Sequence, residues 1–465
     1  MNMPIYPTAA IRRIEQAAAA VTPTLMERAG AAAADLAAAL LPDTGREVLV
    51  LAGPGNNGGD ARVAARILQE KFFRVSLADK TQDIPKDVHW SLVVDGLFGI
   101  GLARPLEGDY AKLVDYANAQ NCPVLALDIP SGLDSDTGCV AGRAVRATHT
   151  ITFIGLKPGL LTLEGPDHCG RISVADLSLK GFSDHAEHGW VAGPALFADL
   201  LKPRPKNFHK GMSGSLAVIG GASGMGGAAL LAGRAALKLG AGRVYAGLLE
   251  ELSLDPGAPE LMLRHPDDAL GLDLDAIVIG PGLGQGERAE TLLGAVLASD
   301  IACVLDADAL NLIAGNEDLR KSCARRSSDT LLTPHPAEAA RLLALKTSDV
   351  QADRVGAAKN LSGNLNAHVV LKGNGSIIVA RDGHWFINTS GNPGMASAGM
   401  GDVLSGILGA LLAQKYSGES ALVLGVHLHG CAADECVRAG AGPVGLSAGE
   451  LIDPARRIWN GWLAG

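Results

Sequence analysis

Short apolar runs recur along the chain, and stretches of helical amphipathic spacing lie between several of them. EVLVLAG, RVSLA, SLVVDGLFG, PVLALDIPSG and HTITFIG are runs of the first kind, several ending in a glycine-bearing loop. ARVAARILQEK is a stretch of the second kind. This alternation predicts a parallel sheet covered by helices on both faces. Residues 1–45 read as helical, with Gly30 breaking one segment and LPDTG ending the next.

From about residue 180 to 210 the pattern fails. GFSDHAEHGW and LKPRPKNFHKG are polar, carry prolines and are rich in histidine, so a domain boundary is expected near residue 185. A second α/β series then begins with SLAVIGGASGMGGAALLAGRAALKLGAGRV and continues through DAIVIGPGLG, ACVLDADAL, DTLLTPHPAEAARLL and HVVLKGNGSIIVA. The halves show no internal repeat.

Length agrees with two domains: 465 residues exceed one ordinary core at ~150 residues per domain. Apolar residues make up 48% and aromatics only 4%, so the cores are built from Ala, Val and Leu, and the composition is not that of a disordered chain. The net charge of −9 argues against a nucleic-acid partner. MNMPIYPTAAIRRIEQ lacks a continuous apolar segment, so no secretory signal is expected. GAAAADLAAALL is short and interrupted by Asp35, which suits a buried or amphipathic helix rather than a membrane span. The seven cysteines are scattered without zinc or redox spacing and read as reduced thiols of a cytoplasmic protein.

Two regions carry candidate chemistry. In the first, GPGNNGGDARVAAR (residues 53–66) runs from a strand into a helix. Its glycines let backbone N–H groups close on a ligand, and the helix N-terminus favours anions. It is not a GxGxxG dinucleotide motif, because Asn56 and Asn57 intrude and Asp60 sits where it would repel a phosphate. A tight strand-to-helix turn would use similar residues. Asp95 and Asp128 each end a strand, Gly99–Pro105 form a loop, and Ser131 follows closely. Ligands of open α/β sheets bind at the carboxyl ends of strands. Asn57, Asp95 and Ser131 offer hard oxygens to a cation, and Asp128 can serve as general acid or base. Any one of these acids alone is more often a cap or turn residue, but three strand-end loops of matching chemistry point to a site.

LMERAG, GPGNNGGD, DGLFGIGL and DIPSGLDSDTG, in that order over roughly residues 8–180, resemble the NAD(P)HX epimerase domain. The resemblance implies a Rossmann-like three-layer domain over residues 1–185 that interconverts the R and S forms of hydrated NADH or NADPH. It implies substrate contacts from Asn56, Asn57, Gly58, Gly59 and Asp60, and from Gly99, Ile100, Gly101, Leu102, Ala103, Arg104 and Pro105. It makes Asp128 the acid/base as well as a substrate contact, and Asn57, Asp95 and Ser131 ligands of potassium. Ala61 departs from the family's usual Gly; its methyl would crowd the ligand or simply favour the helix.

In the second region, NPGMASAGMGDVLSGILGALLAQ (392–414) leads into an apolar helix beginning near Gly401. Such a start directs free N–H groups at whatever precedes it, and Gly394, Ala396, Ala398, Gly399 and Gly401 let a polyphosphate come close. Asp402 cannot be there to attract phosphate. A carboxylate beside an anion hole suits a base acting on a hydroxyl that attacks phosphorus; a helix cap is the plainer alternative. GGASGMGGAALLAGRAALKLGAG sets Ala228 just inside another helix, GPGLG ends at Gly284, and VVLKGNGS ends a strand at Lys372 and Gly373. His335, between Pro334 and Pro336, is either a loop residue or a binding residue held rigid by its prolines. His427 and His429 lie at alternate positions of a helical stretch and read as structural or solvated, since helical metal ligands sit at i, i+3 or i+4.

GGASGMGGAALLAGRAAL, GPGLG, LDADAL, LTPHPAEAARLL, VVLKG and NTSGNPGMASAGMGDVLSGI resemble the ADP/ATP-dependent NAD(P)HX dehydratase domain, of ribokinase-like α/β fold, over about residues 190–465. This implies that Ala228, Gly284, His335 and Asp402 touch the hydrated nicotinamide. Lys372, Gly373, Asn374, Gly375, Ser376 and Gly401 would touch the adenine nucleotide, and Asp402 would be the catalytic base. Ser376 replaces a common Thr, and Ala398–Gly399 a common Gly–Gly; both keep the site small. Together the two resemblances imply a repair enzyme for NADHX and NADPHX that uses ADP or ATP, Mg2+ and K+ and releases AMP and phosphate from ADP. The expected partners are these small molecules and further copies of the chain, with no nucleic acid and no membrane. The competing reading is a ribokinase-like small-molecule kinase with a non-catalytic first domain.

Overall fold

The computed structural model describes residues 3–102, 104–140, 142–179 and 188–464. The chain divides into two compact units, Met3–Trp190 and Val191 onward. The boundary expected near residue 185 lies outside the described residues.

In the first unit a six-stranded parallel sheet runs in the order Arg74–Ala78, Glu47–Ala52, Leu92–Gly96, Val124–Leu127, His149–Phe153, Arg171–Ala175. Successive side chains of a strand face opposite ways. Val48, Val50 and Ala52 thus join Ala29, Ala33 and Ala64 in one core, while Leu49 and Leu51 join Leu113 and Val114 in another. Helices Leu25–Ala39 and Asn56–Glu70 supply the first layer and Gly108–Asn118 the second, giving the expected three-layer α/β arrangement.

Gly30 does not break its helix. Leu25–Ala39 runs through it unbroken. A Cβ on Gly30 would lie 2.4 Å from Val63 Cγ1 and 2.9 Å from the Asp60 carbonyl, so the glycine serves close approach of two helices. The helical stretch is interrupted earlier, between Ala17 and Leu25.

In the second unit the strands run in the order Trp385–Asn388, Ser376–Val379, His368–Leu371, Thr330–Leu332, Ala302–Leu305, Ala276–Ile279, Ser215–Gly220, Arg243–Leu248, Met262–Arg264. The last seven are mutually parallel, and the first two add an antiparallel hairpin. The helix Met400–Ala413 is buried along nearly its whole length, which explains why it is apolar all round. It packs tightly on Gly226–Lys238: a Cβ on Gly406 would meet the Ala232 carbonyl at 2.1 Å. No described helix is long and apolar enough to cross a membrane.

Each sheet reverses its winding at one place. In the first unit this lies between Glu47–Ala52 and Leu92–Gly96, and in the second between Ser215–Gly220 and Ala276–Ile279. Loops leaving such strands diverge and open a crevice at their carboxyl ends.

Candidate active sites

In the first unit, Asn56, Asn57, Gly58, Gly59 and Asp60 form the opening turns of helix Asn56–Glu70, at the switch point. Gly58 is required there, since a Cβ would lie 1.9 Å from the Gly53 carbonyl. The Asn57 amide is buried, and neither its oxygen nor its nitrogen has a hydrogen-bond partner. Asp95 is fully buried and accepts from Ser131 N at 2.8 Å, Ser131 Oγ at 2.7 Å and Leu97 N at 3.2 Å. Burial pushes its carboxyl up to about 6 against these hydrogen bonds.

Asp128 follows strand Val124–Leu127 with a left-handed φ of 64°. Its Oδ1 accepts from Phe153 N at 3.2 Å and pairs with the buried Lys157 ammonium. A Cβ built on Gly99 would lie 3.4 Å from Asp128 Oδ2 and 3.4 Å from Asn57 Cγ. The structure therefore brings Asn57, Gly99 and Asp128 together. Gly101, Arg104 and Pro105 are exposed, Ile100 and Leu102 are half-buried, and Ala103 lies outside the described residues.

Two expectations change. Burial, and then the charges of Asp128 and Glu15, push Asp60 up to about 8, so at pH 7 it is mostly protonated and repels a phosphate less than an ionised carboxylate would. The Ala61 methyl is buried against Gly96 of the sheet, where a Cβ would come within 2.4 Å of it; it does not crowd the loop mouth. Sequence reasoning missed Lys157 and Glu15. Both reach this site through long-range folding, and GLKPGL carries no local pattern that names its lysine.

In the second unit, Gly399 (φ 87°) caps helix Met400–Ala413, so Asp402 is its third residue and not its cap. A Cβ on Gly401 would lie 3.2 Å from Lys372 Nζ and 3.5 Å from Asp306 Oδ2. Buried Asp306 accepts from Lys372 Nζ at 3.0 Å and from Ser405 Oγ at 2.8 Å. Burial opposes ionisation of Asp306, but Lys372 and the hydrogen bonds of Thr333 and Ser405 outweigh it and hold the carboxyl low. Burial likewise opposes the Lys372 charge, and Asp306, Glu338 and Asp402 overcome it. Asp402 is pushed up to about 6 by burial and the Asp306 charge, against Lys372. Asp306 is the member of this cluster that sequence reasoning did not single out.

Lys372–Gly375 form the turn between strands His368–Leu371 and Ser376–Val379, and Gly373 and Asn374 are exposed at its tip. The buried Arg354 guanidinium donates to the Leu371 and Lys372 carbonyls, each at 3.3 Å, and Ser376 Oγ donates to Gly373 O at 3.0 Å. Ala228 stands in the first turn of Gly226–Lys238, 3.3 Å from where a Cβ on Gly282 would be. Gly284 (φ 75°) donates its N–H to Asp308 Oδ2 at 2.9 Å, which fixes the GPGLG loop.

His335, flanked by Pro334 and Pro336, is held by hydrogen bonds as well. It caps helix Pro336–Leu343, its Nδ1 accepting from Ala337 N at 3.1 Å and Glu338 N at 3.3 Å, while Glu338 accepts from His335 N at 2.8 Å. Burial, then the charges of Lys372 and Arg341, lower its basicity. His427 packs near Phe197 and Trp462, and buried His429 is pushed down to about 4 by burial, in keeping with structural roles.

Each unit thus sets a carboxylate at a glycine-built helix start or strand end, among loops at the carboxyl edge of its sheet: the architecture of a two-site α/β enzyme. A family model described as NAD(P)H-hydrate dehydratase matches residues 216–453, and one described as YjeF-related protein N-terminus matches residues 22–91 and 74–159. A bifunctional NAD(P)H-hydrate repair enzyme of Escherichia coli K12 is 39% identical, over 97% of this chain and 93% of its own. One from Coxiella burnetii is 38% identical over 94% of each chain. The crystal structure of ADP/ATP-dependent NAD(P)H-hydrate dehydratase from Bacillus subtilis, co-crystallized with ATP/Mg2+, superposes with a TM-score of 0.52 at 29% identity. It covers 58% of this chain and 98% of that one. A ribokinase-like superfamily protein from Enterococcus faecalis superposes with a TM-score of 0.51 at 25% identity, over 58% of this chain and 95% of its own. The chain belongs to the family of bifunctional NAD(P)H-hydrate repair enzymes.

Proposed function

We propose that the chain returns hydrated NADH and NADPH to their reduced forms. Residues 1–185 epimerise the R and S hydrates, and residues 190–465 dehydrate the S form with ADP or ATP. The observation that carries the reading is Asp402, a carboxylate poised near neutrality on the third residue of a helix whose glycine-lined start favours anions.

The ring hydroxyl is a poor leaving group. Asp402 takes its proton as the oxygen attacks the terminal phosphorus of the nucleotide. The helix N-terminus and Lys372 stabilise the charge that develops on the phosphoryl oxygens. Elimination of phosphate then restores the ring double bond; with ADP the products are AMP and phosphate. Gly401 leaves room for the phosphate chain, and the Lys372–Ser376 turn borders the nucleotide. Ala228, Gly284 and His335 line the nicotinamide side. Asp306 would offer a carboxylate oxygen to magnesium carried on the nucleotide phosphates, which leaves Asp402 free to take the proton. Bound there, the ion would neutralise phosphate charge.

In the first unit Asp128 acts as acid/base on the hydrated carbon's substituents, and the turns at residues 56–60 and 99–105 hold the substrate. The unpartnered Asn57 amide would lend its oxygen to potassium together with the Asp95 carboxylate and the Ser131 hydroxyl, all of them oxygen donors of the kind that ion takes. Such a cation would balance the buried Asp95 charge and order the substrate loops. We infer that the chain works as a homo-oligomer in the cytoplasm.

The test is incubation of mixed hydrated NADPH epimers with ADP, following the near-ultraviolet absorbance of reduced nicotinamide and the AMP formed. Complete recovery with matching AMP supports both activities, and partial recovery only the dehydratase. Absence of recovery, with phosphate moved to another small hydroxyl compound, would favour a plain kinase.

A further inference from the structure

Lys157 is completely buried, 29 residues beyond Asp128, in the loop after strand His149–Phe153. An ammonium has three protons to donate. Here they go to Asp128 Oδ1, to Thr152 Oγ1 at 2.8 Å and to the Phe153 carbonyl at 2.9 Å. With its donors spent and no surface exposed, Lys157 cannot touch a ligand. Among the described residues its one ion pair is with Asp128, and the Glu15 carboxylate lies within reach of its charge.

The two oxygens of Asp128 are therefore unlike each other. Oδ1 is committed to Lys157 and to Phe153 N. Among the described residues Oδ2 accepts no hydrogen bond, and it faces the space beside Gly99 and Asn57. Asp128 has a left-handed backbone (φ 64°) just past its strand, and the contacts of Oδ1 with Lys157 and Phe153 N hold the carboxylate's rotation.

We propose that Lys157 is a positioning residue for epimerisation: it occupies Asp128 Oδ1 and aims Oδ2 at the hydrated carbon, so that this one oxygen transfers protons. The inference rests on the epimerase reading of the first unit. Thr152, buried and donating to the Gly155 carbonyl while accepting from Lys157, is the second support of the same geometry.

The test uses the full chain with nucleotide withheld, so that only epimerisation proceeds. Purified R hydrate is added, and formation of the S hydrate is followed by chromatography. A carboxylate allowed to rotate by about an ångström costs roughly 100-fold in rate. Lys157→Met is expected to lower kcat by about that factor while KM stays within about threefold. Lys157→Arg should not rescue, because a planar guanidinium cannot meet three acceptors arranged around an ammonium. Thr152→Val, which keeps the shape and removes one support, is expected to lower kcat about tenfold at unchanged KM; it decides the matter should Lys157→Met fail to fold. Near-wild-type kcat in folded Lys157→Met or Thr152→Val, or full rescue by Lys157→Arg, overturns the proposal. Absence of epimerisation by the unaltered chain would instead overturn the epimerase reading, and this inference with it.

Discussion

Asp402→Asn separates what its carboxylate does for catalysis from what it costs the fold. Burial and the Asp306 charge push the acid from 3.8 to about 6. Because only the ionised form can accept a proton, dehydration should fall as pH drops below about 6, roughly tenfold per unit. The amide cannot accept that proton, so the variant should lose about 10²–10⁴-fold in kcat and lose this acid limb as well. Stability moves the other way. A carboxyl whose folded-state value lies above its unfolded value makes the folded chain bind the proton more tightly, so stability is lost as pH rises from 3.8 to about 6. The whole penalty, on the order of 3 kcal/mol, is present at neutral pH and absent below 3.8. The uncharged amide escapes it. Asp402→Asn should therefore unfold at higher urea than the parent at neutral pH, with the gap closing as pH falls through that window. The assays are nucleotide-dependent recovery of reduced nicotinamide and urea titration at several pH values. Dehydration within about threefold of the parent, or an unchanged acid limb, would refute the assignment of the base. A variant that is less stable than the parent at neutral pH would refute the electrostatic account of the site.

Three further outcomes are expected. Asp128→Asn should slow epimerisation by about 10²–10⁴-fold while S hydrate is still dehydrated; mixed epimers then recover only in part, after correction for spontaneous exchange. Gly401→Ala introduces a methyl 3.2 Å from Lys372 Nζ and 3.5 Å from Asp306 Oδ2. It should raise KM for ADP about tenfold or more, with epimerisation unaffected. Gly30→Ala sets a Cβ 2.4 Å from Val63 Cγ1 and should lower the urea midpoint by the equivalent of about 1–3 kcal/mol, although Ala favours helix.

Much of both sites was legible because their glycines have few other uses. Gly58 and Gly401 stand where a methyl would strike the Gly53 carbonyl or crowd the Lys372 ammonium, and such positions cluster visibly in GPGNNGGD and NPGMASAGMGD. Asp402 stood out as the one acid in a run of glycine and alanine leading into an apolar helix. Lys157 and Asp306 did not stand out, because their meaning comes from partners 29 and 66 residues away, Asp128 and Lys372, which no local spacing encodes. Gly30 was misread for a related reason: glycine as helix breaker is a local rule, while glycine as contact point depends on Val63 in another helix. The protonation of Asp60 likewise depends on the burial and neighbouring charges that folding supplies.

The most direct measurement is a crystal structure of the chain with nucleotide and magnesium bound in the second unit. The account predicts phosphate oxygens on the N–H groups at the start of helix Met400–Ala413, with the terminal phosphate beside Asp402 and the Lys372–Ser376 turn along the nucleotide. An occupied, closed site whose phosphates lie far from that carboxylate would contradict it.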